Sequence, residues 1–290
     1  TLIPKKLTPE SVNDYRPISL LIVCSRLSQK ILSERLQRWI LKVVHRNQYG
    51  FIKTRTIQDC LGCAFEYLHQ CKQSGRETVI LKLDFEKAFD TMEHSFILKM
   101  LECKGFDDRW CMWIKMLLQS GSSSILLNGI PGTEFKCKRG VRQGDPISPL
   151  LFMLAEDLLQ SLINKAWSDG LIELPINQPA SEDYPVVQYA DDTLTILPAN
   201  QHELQTIKGI LDSYARATGL KINYAKSQLM PINVNAQKAI DLASVLGCQV
   251  GDMPFTYLGP PLGTTRPTVR DLMPLVDRIE KRLTGMAIWL

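Results

Sequence analysis

Asp84, Asp191 and Asp192 are the residues of this chain whose type and spacing could do chemistry. Asp84 closes the apolar run Leu81-Lys82-Leu83-Asp84. Asp191 and Asp192 sit side by side in Gln188-Tyr189-Ala190-Asp191-Asp192-Thr193. Adjacent carboxylates repel and are costly to bury, so a doublet between apolar segments calls for a cation. A pair of Mg²⁺ ions would satisfy it, and paired ions of this kind activate a hydroxyl and steady a leaving phosphate. An Asp-rich turn would explain the doublet alone, and a strand end or helix cap would explain Asp84 alone. The two islands together favour a shared metal site.

The elements that must position these acids can be read from periodicity. Thr78 to Leu83 is a strand by its β-branched and apolar content. Val186 to Ala190 and Leu194 to Leu197 read as strands flanking the doublet, so a hairpin carries both acids at its tip. Helical spacing predicts helices over 26–46, 57–73, 93–103, 107–119, 148–166, 201–217, 236–246 and 268–289. Gly219 closes the 201–217 helix, and Asp90 reads as the cap of the helix that follows it. Gly129-Ile130-Pro131-Gly132 has hairpin chemistry, residues 140–146 and 170–185 read as loops, and Ser227 to Ile232 as a strand. Strands and helices mix without strict alternation. That favours an α+β fold, a sheet backed by helices on one face, over a doubly wound parallel sheet.

The 290 residues suffice for one large or two ordinary domains. A net charge of +4 permits a nucleic-acid partner without demanding one. Apolar runs such as Leu20-Leu21-Ile22-Val23-Cys24 are far too short to span a bilayer, so no membrane partner is expected. The eight scattered cysteines read as buried free thiols of a reducing compartment. Cys60, Cys63, His69 and Cys71 fall in or just after one predicted helix rather than in two separated ligand pairs, which argues against zinc. Both ends look cut from a longer polypeptide.

Three ordered islands carry a resemblance: Lys82-Leu83-Asp84-Phe85-Glu86-Lys87-Ala88-Phe89-Asp90, Gly140-Val141-Arg142-Gln143-Gly144-Asp145-Pro146-Ile147-Ser148-Pro149 and Tyr189-Ala190-Asp191-Asp192. In order and spacing the chain resembles the reverse transcriptase domain of a non-LTR (LINE-type) retrotransposon, plant-like and fragmentary. Tyr15-Arg16-Pro17-Ile18-Ser19-Leu20, Gln48-Tyr49-Gly50-Phe51, Gly219-Leu220-Lys221-Ile222-Asn223 with Lys226-Ser227, and Phe255-Thr256-Tyr257-Leu258-Gly259 extend it over nearly the whole chain.

The resemblance implies a right-hand polymerase. Residues 1–76 would be fingers, 77–264 a palm with an antiparallel sheet and an interleaved fingers segment, and 265–290 the start of a truncated thumb. It implies RNA-directed DNA synthesis opposite an RNA template: a dNTP added to the 3′-hydroxyl of a DNA primer, the nicked target DNA of retrotransposition. Asp84, Asp191 and Asp192 would hold two Mg²⁺ ions, with Mn²⁺ able to substitute, and Phe85 would lend its backbone carbonyl. Lys5 and Arg16 resemble cations that clasp the triphosphate. Phe89 would sit under the sugar and exclude a 2′-hydroxyl, and Gln143 and Gly144 would lie beside the nucleotide. Arg142 would contact template or phosphate. Lys226 is a candidate proton donor to pyrophosphate. Phe255, Tyr257, Leu258 and Gly259 resemble a primer-gripping turn, and Arg270, Arg278, Lys281 and Arg282 a helix facing duplex phosphates. Such a protein would act inside the cell, in nucleus and cytoplasm, within a retroelement particle.

The chain departs from the family pattern at Pro260 and at Glu156 and Asp157, acids in an otherwise apolar helix. The rival reading is an inactive retroelement remnant that only binds nucleic acid. The intact Asp84, Asp191 and Asp192 speak against it.

Overall fold

The computed structural model describes residues 2–18, 23–124, 126–127, 130–176 and 183–287. Ser19 and Leu20, the 177–182 part of the expected loop, Gly129 and the end of the last helix lie outside the described residues, as does the Arg282 side chain.

Along the chain the elements are β1 (Leu2–Pro4), β2 (Tyr15–Pro17), α1 (Val23–Gln37), α2 (Ile40–Val43), α3 (Ile57–Gln73) and β3 (Thr78–Leu83). Then come α4 (Ala88–Thr91), α5 (His94–Cys103), α6 (Asp108–Gln119), β4 (Ser122–Ser123), β5 (Leu126–Leu127), β6 (Ile130–Pro131), β7 (Phe135–Lys136) and α7 (Ser148–Ser168). The remainder is β8 (Val186–Tyr189), β9 (Asp192–Pro198), α8 (Gln201–Thr218), β10 (Gln228–Ile232), α9 (Ala236–Leu246), β11 (Gln249–Val250), β12 (Phe255–Thr256), β13 (Pro261–Leu262) and α10 (Val269–Ala287). The expected 26–46 helix is two pieces, because the backbone turns at Arg38 and Trp39.

These elements form two compact units, one of residues 1–54, 85–162 and 209–222, the other of 55–84, 163–208 and 223–290. The second holds a five-stranded sheet in the order β11-β10-β3-β9-β8. It is antiparallel except for the parallel β10–β11 pair at one edge. Strand β3 is central, between β10 and β9. Its Val79, Ile80 and Leu81 are at most 1% exposed, so both faces of this strand are covered rather than the one expected. Helix α3 packs on β8 and β13, and α9 on β10 and β11. Helix α3 starts at a Thr56 cap: the Thr56 hydroxyl accepts from the Asp59 N–H while the Asp59 carboxylate accepts from the Thr56 N–H. Its Cys60, Ala64, Leu68 and Cys71 form the buried stripe.

The first unit contains the β1–β2 hairpin, helices α1, α2, α4, α5 and α6, and the short ribbons β4–β7 and β5–β6. Asp107 caps α6 by accepting from the Trp110 N–H at 2.8 Å, and Trp110, Ile114 and Leu118 face inward. Gly219, at φ +82°, ends α8; a Cβ there would lie 2.4 Å from the Thr91 carbonyl oxygen, so the position admits only glycine. Asp90 does not cap α5, whose cap position is Glu93; it lies within the short α4 instead.

The α7 acids Glu156 and Asp157 are buried and partnered. Gln48 donates to Glu156 at 2.6 Å, and its carbonyl end accepts from the Gly50 N–H at 2.8 Å. Asp157 accepts from the His45 N–H at 2.6 Å and from the Lys104 ammonium at 2.5 Å. All eight cysteines are free thiols, as expected, but the expectation of burial holds only for Cys60 and Cys71; Cys24 and Cys103 are exposed because they lie on outward faces of α1 and α5. No helix among the described residues is long and apolar enough to cross a membrane.

Candidate active site

Tyr189 pairs with Asp192, so β8 and β9 are joined by a two-residue turn, Ala190-Asp191. Ala190 lies in the left-handed region at φ +52°, an uncommon backbone for a residue with a Cβ. Asp191 is at the exposed tip and Asp192 opens β9. On the other side of β9, Leu83 pairs with Thr193. Carried one residue further, that register sets Asp84 beside Asp192 at the same end and on the same face of the sheet. The carboxylates sense each other: burial first, then the Asp191 charge, push the Asp192 carboxyl above its ordinary value; Asp84 adds to the rise, and the Lys82 ammonium offsets part of it. The backbone of Asp84 is fixed on both sides, its N–H donating to the Ser227 hydroxyl at 3.1 Å and its carbonyl accepting from the Asn223 N–H at 2.7 Å. The hydroxyl of Tyr257 donates to the Asp192 carbonyl at 3.1 Å.

In the other unit, Phe89, Asp90, His94 and Gln143 border a cavity of about 270 Å³. Phe89 is half-buried and stacks on Phe152, with ring centroids 4.8 Å apart. Gln143 donates to the Asp90 carboxylate at 3.3 Å. His94 lies 2.8 Å from the Gly140 carbonyl and holds the loop in place. Gly144 is exposed at φ +107°, where a side chain would be strained. The Arg142 guanidinium donates to the Leu117 carbonyl at 2.6 Å, at the end of α6, and pairs with Asp145 at 3.4 Å. Burial pushes the Asp145 carboxyl up, with the Gln29 amide and Arg142 drawing it back. Lys5 and Arg16 sit on the exposed β1–β2 hairpin, where Ile3 faces Arg16 and the Lys5 N–H donates to the Asp14 carbonyl at 2.7 Å.

The profile of one protein family, reverse transcriptase (RNA-dependent DNA polymerase), matches residues 3–262. This chain belongs to the reverse transcriptase family. Proteins of non-LTR retrotransposons are among its relatives. It is 31% identical over 232 residues to a retrovirus-related Pol polyprotein of the type-1 retrotransposable element R2 of Popillia japonica, covering 78% of this chain and 31% of that protein. It is 30% identical over 229 residues to the uncharacterized 149 kDa protein of transposon TX1 of Xenopus laevis, covering 78% of this chain and 17% of that one. The chain thus spans between about a sixth and a third of these relatives. Among solved structures, telomerase from Candida albicans shares the fold at a TM-score of 0.52 and 14% identity, over 83% of this chain and 36% of that chain. The mixed helix and antiparallel-rich sheet is that of reverse transcriptase fingers and palm.

Reverse transcriptases use divalent metal ions. Among the described residues no three His, Cys, Asp or Glu side chains are grouped so as to hold a metal ion. Carboxylate oxygens are the donors that hard divalent cations take, and the register of β3 and β9 brings Asp84 and Asp192 to one strand end. The other expected site residues are placed as follows. Phe85 buries its ring edge-on to Tyr214, with centroids 6.2 Å apart. Lys226 is exposed, in a turn organised by Asn223. Phe255 and Tyr257 are buried, and Leu258 and Gly259 are half-buried. Arg278 donates to the Gly259 carbonyl at 2.9 Å. Sequence reasoning missed Ser227, Asn223 and Lys82. The alternation Lys82-Leu83-Asp84, which puts Lys82 and Asp84 on one face of a strand, was the available signal for the last.

Proposed function

We propose that this chain is an RNA-directed DNA polymerase that extends a DNA primer with dNTPs on an RNA template, in target-primed retrotransposition. The observation that carries this reading is the convergence of Asp84 and Asp192 at one end of the central strands, with Asp191 in the adjoining turn. Asp84, Asp191 and Asp192, with the Phe85 carbonyl, would hold two Mg²⁺ ions. When bound, such ions lower the pKa of the primer hydroxyl and balance the charge of the triphosphate and the departing pyrophosphate. The protein's own part is positional. Lys5 and Arg16 bind the triphosphate, Arg16 as a planar fork and Lys5 as a mobile charge. Gln143 and Gly144 border the nucleotide, and Lys226 gives a proton to pyrophosphate. Leu258 and Gly259 contact the primer. The protein acts inside the cell, in nucleus and cytoplasm, within a retroelement particle.

The test is extension of a DNA primer on an RNA template with dNTPs, with and without Mg²⁺. Mg²⁺-dependent extension supports the reading. Primer–template binding with no extension under any divalent ion would leave a nucleic-acid-binding remnant.

Phe89→Val should admit ribonucleotides in the same assay, since removing the ring opens space for a 2′-hydroxyl. A loss of sugar discrimination on the order of tenfold or more is expected, the scale of one lost steric contact. Unchanged discrimination would leave Phe89 as a packing partner of Phe152 alone.

A further inference from the structure

The segment resembling a primer grip is bonded to both strands that bear the acids. Tyr257 is 1% exposed, and its hydroxyl lies between the Asp192 carbonyl at 3.1 Å and the Cys60 thiol at 3.8 Å. One residue earlier, the Thr256 carbonyl accepts from the Lys82 ammonium at 2.9 Å. That ammonium also lies 5.9 Å from the centroid of the Phe255 ring. Lys82 and Asp84 are two apart on β3 and share a face. The hairpin is closed on itself by the Tyr257 N–H, which donates to the Pro260 carbonyl at 3.1 Å.

This arrangement answers a mechanical problem. Three carboxylates at one strand end repel, and the turn that presents two of them has Ala190 in left-handed backbone. Strain and repulsion together would open the turn in the absence of a cation. A buried donor on the Asp192 carbonyl resists that opening without touching the carboxylate, so the carboxylate stays available. A phenol this enclosed cannot reach a nucleic-acid strand.

We propose that Tyr257 and Lys82 are positioning residues that brace the carboxylate turn against the 255–262 hairpin and thereby set its affinity for divalent cations. This rests on the polymerase reading, with Tyr257 assigned to the acids rather than to the primer.

The test is Tyr257→Phe, which removes one oxygen and keeps the ring, with Lys82→Met and Lys82→Arg beside it. The full chain is titrated with Mn²⁺ by electron paramagnetic resonance, melted thermally and assayed for single-nucleotide incorporation. A brace predicts Mn²⁺ binding and kcat each weaker by about 10-fold to 100-fold in Tyr257→Phe, the usual cost of losing a group that orients metal ligands. The dNTP KM and the melting temperature should stay near wild type, and Lys82→Arg should recover most of what Lys82→Met loses. Wild-type Mn²⁺ binding in Tyr257→Phe overturns the brace, whatever the activity. A wild-type chain that binds Mn²⁺ and loses that binding in Tyr257→Phe, but extends no primer, keeps the brace and overturns the polymerase reading.

Discussion

Asp191→Asn is expected to abolish primer extension while leaving the protein folded. Asp191 is exposed at the tip of the turn, and Asn has the same shape and is at home in turns, so little packing is lost. What disappears is one negative charge from a site whose catalysis would be almost wholly electrostatic. Such a loss costs on the order of 10³-fold in rate or more. Single-turnover incorporation with Mg²⁺ measures it, and a wild-type rate would refute the assignment of Asp191. Asp192→Asn should also lose activity, with an opposite effect on stability. In the metal-free protein the Asp192 carboxyl titrates above its ordinary value of 3.8. The wild type therefore has its full stability from this group below that value, and loses it as pH rises through the raised one. Asn escapes the loss. Metal-free Asp192→Asn should melt above wild type at about pH 7 and lose that advantage towards about pH 4. Added Mg²⁺ should stabilise the wild type and have less effect on the variant.

Much of this was legible in the sequence because local chemistry and global fold agree there. The run Thr78–Leu83 read as a strand and is the central one, and its burial on both faces exceeds the one-face cover expected. The α3 bounds match the 57–73 expected from helical spacing, and the structure adds the Thr56–Asp59 capping box that starts it. The hairpin around the acids was readable, although β9 begins earlier than the apolar pattern suggested, because Asp192 itself takes up the pairing with Tyr189. Long-range pairings were not readable. Nothing local says that Asp90 will accept from Gln143 instead of capping a helix, or that Arg142 will be held by the end of α6 and by Asp145. The same holds for Tyr257: only the fold reveals that its ring is enclosed and its hydroxyl aimed at the Asp192 carbonyl.

Asp157→Ala should destabilise the protein by about 3–5 kcal/mol, the cost of breaking a buried ion pair from one side. The Asp157 and Lys104 side chains are 6% and 18% exposed. Removing the carboxylate strands the Lys104 ammonium, which keeps only the Val43 carbonyl, and leaves the His45 N–H without its acceptor. Asp157→Asn should cost less, because an amide oxygen can still accept from His45. The informative variant is the pair Asp157→Leu with Lys104→Met. It removes both charges together, so most of the loss should be recovered even though the ion pair is gone. Urea denaturation followed by circular dichroism reads all three, provided the slope against denaturant is unchanged. If Asp157→Ala costs under about 1 kcal/mol, as a solvated surface pair would, these acids are not structural. If the double variant is no better than Asp157→Ala, the penalty lies in the lost His45 contact and not in the stranded charge. The same logic gives Gln48 and Glu156 a structural meaning. An acid in the middle of an apolar helix is tolerated when another segment supplies its donor, and the Gln48 amide does so while its carbonyl end fixes the Gly50 backbone.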